Sequence, residues 1–164
     1  MPVKSLGRGG TMPEQSASLG PRSIILVDFE AIVQDYYSGV KQVDEDFAPA
    51  GIQSRSPRKP AENVCGLIRK LHSEYVIVIS DRDEQYRKEC ETWLQLNDVH
   101  FDGLLMRPRG DCSGNNSVKL RLYDQQLKDK PPFVWLVIES DFRCMSMWQS
   151  EGLTCLYAGR SSNA

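Results

Sequence analysis

From residue 23 onward, short and wholly apolar runs alternate with longer stretches whose apolar residues recur every three or four positions. Ile24-Ile25-Leu26-Val27 is the first such run; three of its four residues are β-branched, and it stops at Asp28. Unbroken apolar runs of this length predict strands covered on both faces. Residues 75–80 and 133–138 repeat the pattern, residues 103–106 give a shorter version of it, and residues 153–158 read as a final strand. Between these runs, Pro60-Ala61-Glu62 opens a predicted helix with Val64, Leu67, Ile68 and Leu71 at helical spacing. Residues 83–96 turn Tyr86, Cys90, Trp93 and Leu94 inward, and residues 117–128 do the same with Val118, Leu120, Leu122 and Leu127. A last short helix runs from Met145 to the glycine at 152. Strands alternating with helices predict right-handed crossovers. The expected fold is therefore α/β: three layers around a Rossmann-like, mainly parallel sheet of about five strands. Trp93, Trp135 and Trp148 are expected to serve as packing residues.

Two stretches lack this patterning. Residues 1–22 are rich in Gly, Ser and Pro and read as a flexible tail. Residues 43–60 combine acids with Arg55-Ser56-Pro57-Arg58-Lys59-Pro60 and read as a loop or a minimal flap within one domain spanning 23–160. Arg55, Arg58 and Lys59 suit either a solvated flap or a nucleic-acid contact. Composition narrows the function classes. With 20 Lys+Arg against 22 Asp+Glu the net charge is −2, so phosphate recognition must come from a local cluster and not from a bulk field. No apolar run approaches the ~20 residues of a membrane span, and the start lacks the order of a secretory signal. The five cysteines are scattered without a two-residue spacing, and His72 and His100 are the only histidines. That excludes a zinc or dithiol signature and suits reduced thiols in a cytoplasmic protein, with Cys65 and Cys155 expected in the core.

In open parallel sheets, ligands bind beyond the carboxyl ends of the strands. That rule selects Asp28-Phe29-Glu30, Ser80-Asp81-Arg82 and Glu139-Ser140-Asp141, with Lys119 on the helix ahead of the fourth strand. Carboxylates at two strand ends, with a hydroxyl and a lysine, can hold a magnesium ion and a phosphate together. Each residue also has an ordinary reading. Asp28 and Ser80-Asp81 suit a turn or helix cap, Lys119 a solvated helix face, and Asp141 a surface charge. Arg82 could pair with Asp83 or Glu84, and Arg107 and Arg109 could either attract a polyanion or solubilise a loop.

Met106-Arg107-Pro108-Arg109-Gly110-Asp111 followed by Ser117-Val118-Lys119, and then Ile138-Glu139-Ser140-Asp141 with Met147-Trp148 and Gly152-Leu153-Thr154-Cys155, resembles the haloacid-dehalogenase phosphohydrolase superfamily. The likeness is narrowest to phosphatase domains of the bacteriophage polynucleotide-kinase type, and it covers residues 23–158. The resemblance implies that Asp28 is the nucleophile forming an aspartyl-phosphate and that Glu30 is the general acid and base. It also implies that Ser80 and Lys119 bind the phosphoryl group, that Arg82, Arg107 and Arg109 meet the substrate, and that Asp28, Glu30, Glu139 and Asp141 hold Mg2+. The implied substrate is a phosphomonoester of a nucleotide or of a nucleic-acid 3′ end. Departures from the family pattern are the Glu at 30 and at 139 where aspartates are usual, the Ser at 140, and Ser113, Asn115 and Asn116 before Val118-Lys119. They keep a second reading open, in which a catalytically degenerate phosphatase fold binds a nucleotide, nucleic acid or protein partner.

Overall fold

Strands that are apolar on both faces need a helix layer on each side, and the topology supplies both. A computed structural model of the chain describes residues 21–34 and 59–159. In chain order these form β1 (Ile24–Asp28), α1 (Phe29–Ile32), β2 (Val33–Gln34), β3 (Lys59–Pro60), α2 (Glu62–Lys70) and β4 (Tyr75–Asp83). A 3-10 turn (Glu84–Tyr86) leads into α3 (Arg87–Leu96), and β5 (Gly103–Arg107), α4 (Asn115–Gln126), β6 (Val134–Glu139), α5 (Phe142–Ser150) and β7 (Cys155–Tyr157) complete the fold. The expected tail lies outside the described residues except for 21 and 22. The expected flap does too except for 59 and 60, which form β3 and pair antiparallel with β2.

Five strands make one sheet in the order β5-β4-β1-β6-β7, and every neighbouring pair is parallel. The mainly parallel α/β architecture is as the patterning indicates. The chain first winds outward from β1 through β4 to β5, then returns to add β6 and β7 on the other side. The direction of winding reverses at β1, so the carboxyl end of this strand is the topological switch point. One face of the sheet packs Val27, Val76, Val78 and Ile138 against Val64, Cys65 and Ile68 of α2 and Cys90 and Leu94 of α3. The other packs Leu26, Ile79 and Val137 against Val118 and Leu122 of α4 and Cys144 and Trp148 of α5. Gly152 takes φ +78 just past α5, the left-handed conformation that lets a helix stop at glycine.

Three expectations need correction. The run 133–138 is not covered along its whole length: Phe133 is 59% exposed and Trp135 45% exposed. Pairing between β1 and β6 shifts register at Ile24/Ile25, and only from Val137 onward is β6 fully buried. Cys155 is half-buried, not in the core, because β7 is the edge strand with a neighbour on one side only. The segment 83–96 is a 3-10 turn followed by a helix starting at Arg87, because β4 continues to Asp83 and Asp83 itself caps the turn through Gln85 N.

Candidate active site

Asp28 ends β1 and caps α1, its Oδ2 accepting from Ala31 N at 3.2 Å. This local turn drops its carboxylate at the switch point, where it is 1% exposed. The second turn of α4 brings in Lys119, whose Nζ donates to Asp28 Oδ1 at 2.8 Å and to Glu139 Oε1 and Oε2 at 3.1 and 3.0 Å. Glu139 ends β6 with no exposed surface. Besides Lys119, it accepts from Ser140 N at 2.9 Å, Asp141 N at 3.1 Å and the indole Nε1 of Trp148 at 3.0 Å. The hydroxyl of Ser140 donates to Asp28 Oδ2. Five side chains, from the end of β1, from α4 and from the stretch 139–148, thus make one largely buried network.

The remaining expected residues are divided between this network and its surroundings. Glu30 accepts from Arg82 Nε at 2.7 Å, and Arg82 lies 95% buried over the ring of Phe29, 4.9 Å from its centroid. Arg82 therefore pairs with Glu30 across the sheet and not with Asp83 or Glu84; Glu84 instead binds Arg87. Arg82 Nη2 is 2.6 Å from the same Glu30 oxygen but lacks hydrogen-bond alignment, and Nη1 has no hydrogen-bond partner among the described residues. Ser80 is fully buried, and its Oγ accepts from Arg82 N at 3.1 Å. Asp141 turns outward: its carboxylate caps α5 through Arg143 N at 2.8 Å and pairs with the Arg143 guanidinium. Arg107 is committed to the loop after β5, donating to the carbonyls of Asp81, Asp111 and Ser113 and to Asn115 Oδ1. Arg109 is exposed on that loop. Arg82, Tyr86, Arg107, Asp111 and Cys112 line a cleft of about 360 Å³, whose lining does not include Asp28, Lys119 or Glu139.

Charge follows from this geometry. Burial works against the Lys119 ammonium, but Asp28 and Glu139 outweigh it and hold its pKa above the usual lysine range. Burial and the neighbouring Asp28 charge push Glu139 upward, against the pull of Lys119 and Trp148. Two participants escape sequence reasoning. Trp148 looks like any core aromatic until its N–H is seen on Glu139, and Ser140 reads as a lost acid until its hydroxyl is seen on Asp28.

Residues 39–161 match the family described as the polynucleotide kinase PNKP phosphatase domain. The chain belongs to that family. The matched stretch holds Ser80, Arg82, Lys119 and Glu139 but begins after β1, so Asp28 and Glu30 lie outside it. A chain of a solved Pnkp1/Rnl/Hen1 RNA repair complex aligns with TM-score 0.69 and 22% identity, covering 99% of this chain and 50% of that one. A second Pnkp1/Rnl/Hen1 structure aligns with TM-score 0.69 and 21% identity over 87% of this chain and 46% of its own. The HAD domain of the Legionella pneumophila effector Lem4, solved as an inactive mutant, aligns at 14% identity and TM-score 0.49, covering 87% of both chains. The chain thus spans about half the length of the Pnkp1-complex chains it matches. No curated protein matches it. Among the described residues, no helix is long and apolar enough to cross a membrane.

Membership in this phosphatase family raises the question of whether the carboxylates fit a magnesium ion. The arrangement does not fit the set Asp28, Glu30, Glu139 and Asp141. Glu139 already accepts five hydrogen bonds and Asp28 three, Glu30 is paired with Arg82, and Asp141 faces Arg143. Among the described residues, no three such side chains converge as a metal cluster.

Proposed function

We propose that the chain is a phosphomonoesterase of the polynucleotide 3′-phosphatase type, acting in the cytoplasm on a phosphomonoester of a nucleotide or of a nucleic-acid 3′ end. The observation that carries this reading is the Asp28 carboxylate at the switch point, fixed at 2.8 Å by the buried Lys119 ammonium. The Asp28 oxygen would attack phosphorus, forming an acyl-phosphate bond as the bond to the ribose oxygen breaks and Glu30 gives that oxygen a proton; water, losing a proton to Glu30, would then cleave the aspartyl-phosphate and release inorganic phosphate. Lys119 would offset charge on the phosphoryl oxygens, and Arg82, which lines the cleft, would meet the substrate. No step is routed through a divalent cation, because the carboxylates expected to bind it are occupied by other donors.

A second reading has its own observation. Glu30, the residue expected to serve the leaving oxygen as proton donor, already accepts from Arg82 Nε at 2.7 Å. A carboxylate turned to the guanidinium is not turned to a leaving group. On this reading the fold binds a 3′-phosphorylated end without turning it over.

One experiment separates the two. A 3′-phosphorylated oligonucleotide and an aryl phosphate are incubated with the protein, with magnesium and with a chelator, beside Asp28→Asn. Phosphate release that Asp28→Asn abolishes supports the enzyme. Binding of the phosphorylated end without release supports the second reading, and neither release nor binding overturns both.

A further inference from the structure

We propose that Glu139 is a positioning residue, anchored by Trp148, that holds the Lys119 ammonium against Asp28, and that it is not a ligand of a divalent cation. The inference concerns the site of the proposed function but stands on geometry, not on turnover, so a chain that hydrolyses nothing still tests it.

A carboxylate offers about four lone-pair positions. Two backbone donors, Ser140 N and Asp141 N, occupy Oε1, while the indole of Trp148 occupies Oε2. These three donors belong to the β6–α5 turn and the α5 helix, so they stay with Glu139 whatever enters the site. Lys119 Nζ bridges both oxygens from the remaining side. Magnesium keeps several waters and demands near-octahedral geometry, whereas Glu139 and Trp148 are each 0% exposed and packed together. The additional methylene that separates Glu from Asp is what carries this carboxylate to the indole N–H. The longer side chain at 139 therefore fits an anchor for Lys119 better than a metal ligand.

The test uses the full chain in two spectra. The indole N–H resonances come from three tryptophans; Trp93→Phe and Trp135→Phe identify two of them, and the third is Trp148. Magnesium titration is expected to leave the Trp148 resonance in place in the unmodified chain. Glu139→Gln and Glu139→Asp are each expected to shift it. The second readout is the side-chain ammonium spectrum of the lysines, in which Lys119, shielded by two carboxylates, exchanges slowly. That signal is expected to be lost in Glu139→Asp, although the charge is conserved. A role through charge alone would retain it. A Trp148 resonance that magnesium moves in the unmodified chain, or a Glu139→Asp chain whose Trp148 and Lys119 signals are unchanged, overturns the proposal. If the variants do not fold, the titration of the unmodified chain decides on its own.

Discussion

Lys119 carries the only positive charge in contact with both Asp28 and Glu139 among the described residues, and its side chain is 3% exposed. Removing one partner of a buried ionic network strands the others without solvent, at a cost of about 3–5 kcal/mol. Lys119→Met is therefore expected to lower unfolding free energy by roughly that amount in a denaturant titration. Adding Asp28→Asn to it should recover part of the loss, because one stranded charge disappears. Glu30→Asp acts on the neighbouring pair. Shortening the side chain by one carbon withdraws the carboxylate from Arg82 Nε, 2.7 Å away, and brings it closer to the backbone. Reacting groups misplaced by about 1 Å can lose about 10²-fold in rate. Phosphate release from an aryl phosphate is accordingly expected to rise by up to about that factor in Glu30→Asp, and to vanish when Asp28→Asn is added. An unchanged rate would remove Glu30 from the reaction. At this scale the sequence discloses the residues whose position around a parallel sheet is informative: Asp28 and Glu139 end β1 and β6, Ser80 lies near the end of β4, and Lys119 sits on the helix ahead of β6. It does not disclose partners. Arg82 has Asp83 and Glu84 as near neighbours in sequence, yet it pairs with Glu30, 52 residues away, because β4 lies beside β1 and carries the guanidinium onto Phe29.

At the scale of elements, the loop between β5 and α4 shows how the site's rim is built from polar contacts. Arg107 gathers the carbonyls of Asp81, Asp111 and Ser113, while Asp83 accepts from Gln85 N at 2.8 Å and from Gly110 N at 3.0 Å. Gly110 sits at φ +74, a conformation that glycine adopts without strain. The two backbone donors to Asp83, Gln85 N first and Gly110 N second, hold its carboxyl below its ordinary value of 3.8, with a further contribution from the charges of Arg109 and Arg107. A depressed folded-state pKa stabilises the fold above the unfolded value and ceases to do so as pH falls through the folded one. The Gly110 amide resonance is thus expected to titrate with a midpoint below 3.8, and Asp83→Asn should abolish that titration. A midpoint at or above 3.8 would mean that the loop is not tied to β4 through this carboxylate. Element type was readable for the five sheet strands and for α2 to α5, because helical and unbroken apolar spacings differ, but not for α1, β2 and β3, which are too short to show a period. Element ends were less so: α4 begins at Asn115, two residues ahead of the apolar pattern, since polar residues supply its first turn.

Across the described residues the sheet carries a helix layer on each face, and the five free cysteines report on that cover. Cys65 and Cys90 lie in the layer of α2 and α3, Cys144 lies on the inner face of α5, and all three are buried. Burial pushes the Cys90 thiol up to about 11 and that of Cys144 up to about 12, and it raises Cys65 as well. Cys155, half-buried on the edge strand, is also pushed up to about 11 by burial. The thiolate is the reactive form, so each unit of upward shift lowers the reactive fraction near neutral pH about tenfold. Cys112 differs, being exposed on the loop after β5. Reaction with a thiol reagent at pH 8 is therefore expected to show one fast equivalent per chain, which Cys112→Ser abolishes. Cys65, Cys90 and Cys144 should react only as the layers part, at rates that rise together with denaturant, because a residue packed between sheet and helix becomes accessible through opening of that layer. Cys155 should fall between the two classes, as its strand pairs on one side only. Fast labelling of two or more of the buried three in native conditions would mean that the helix layers are not closed over the sheet, and the buried network at Asp28 could not persist as drawn.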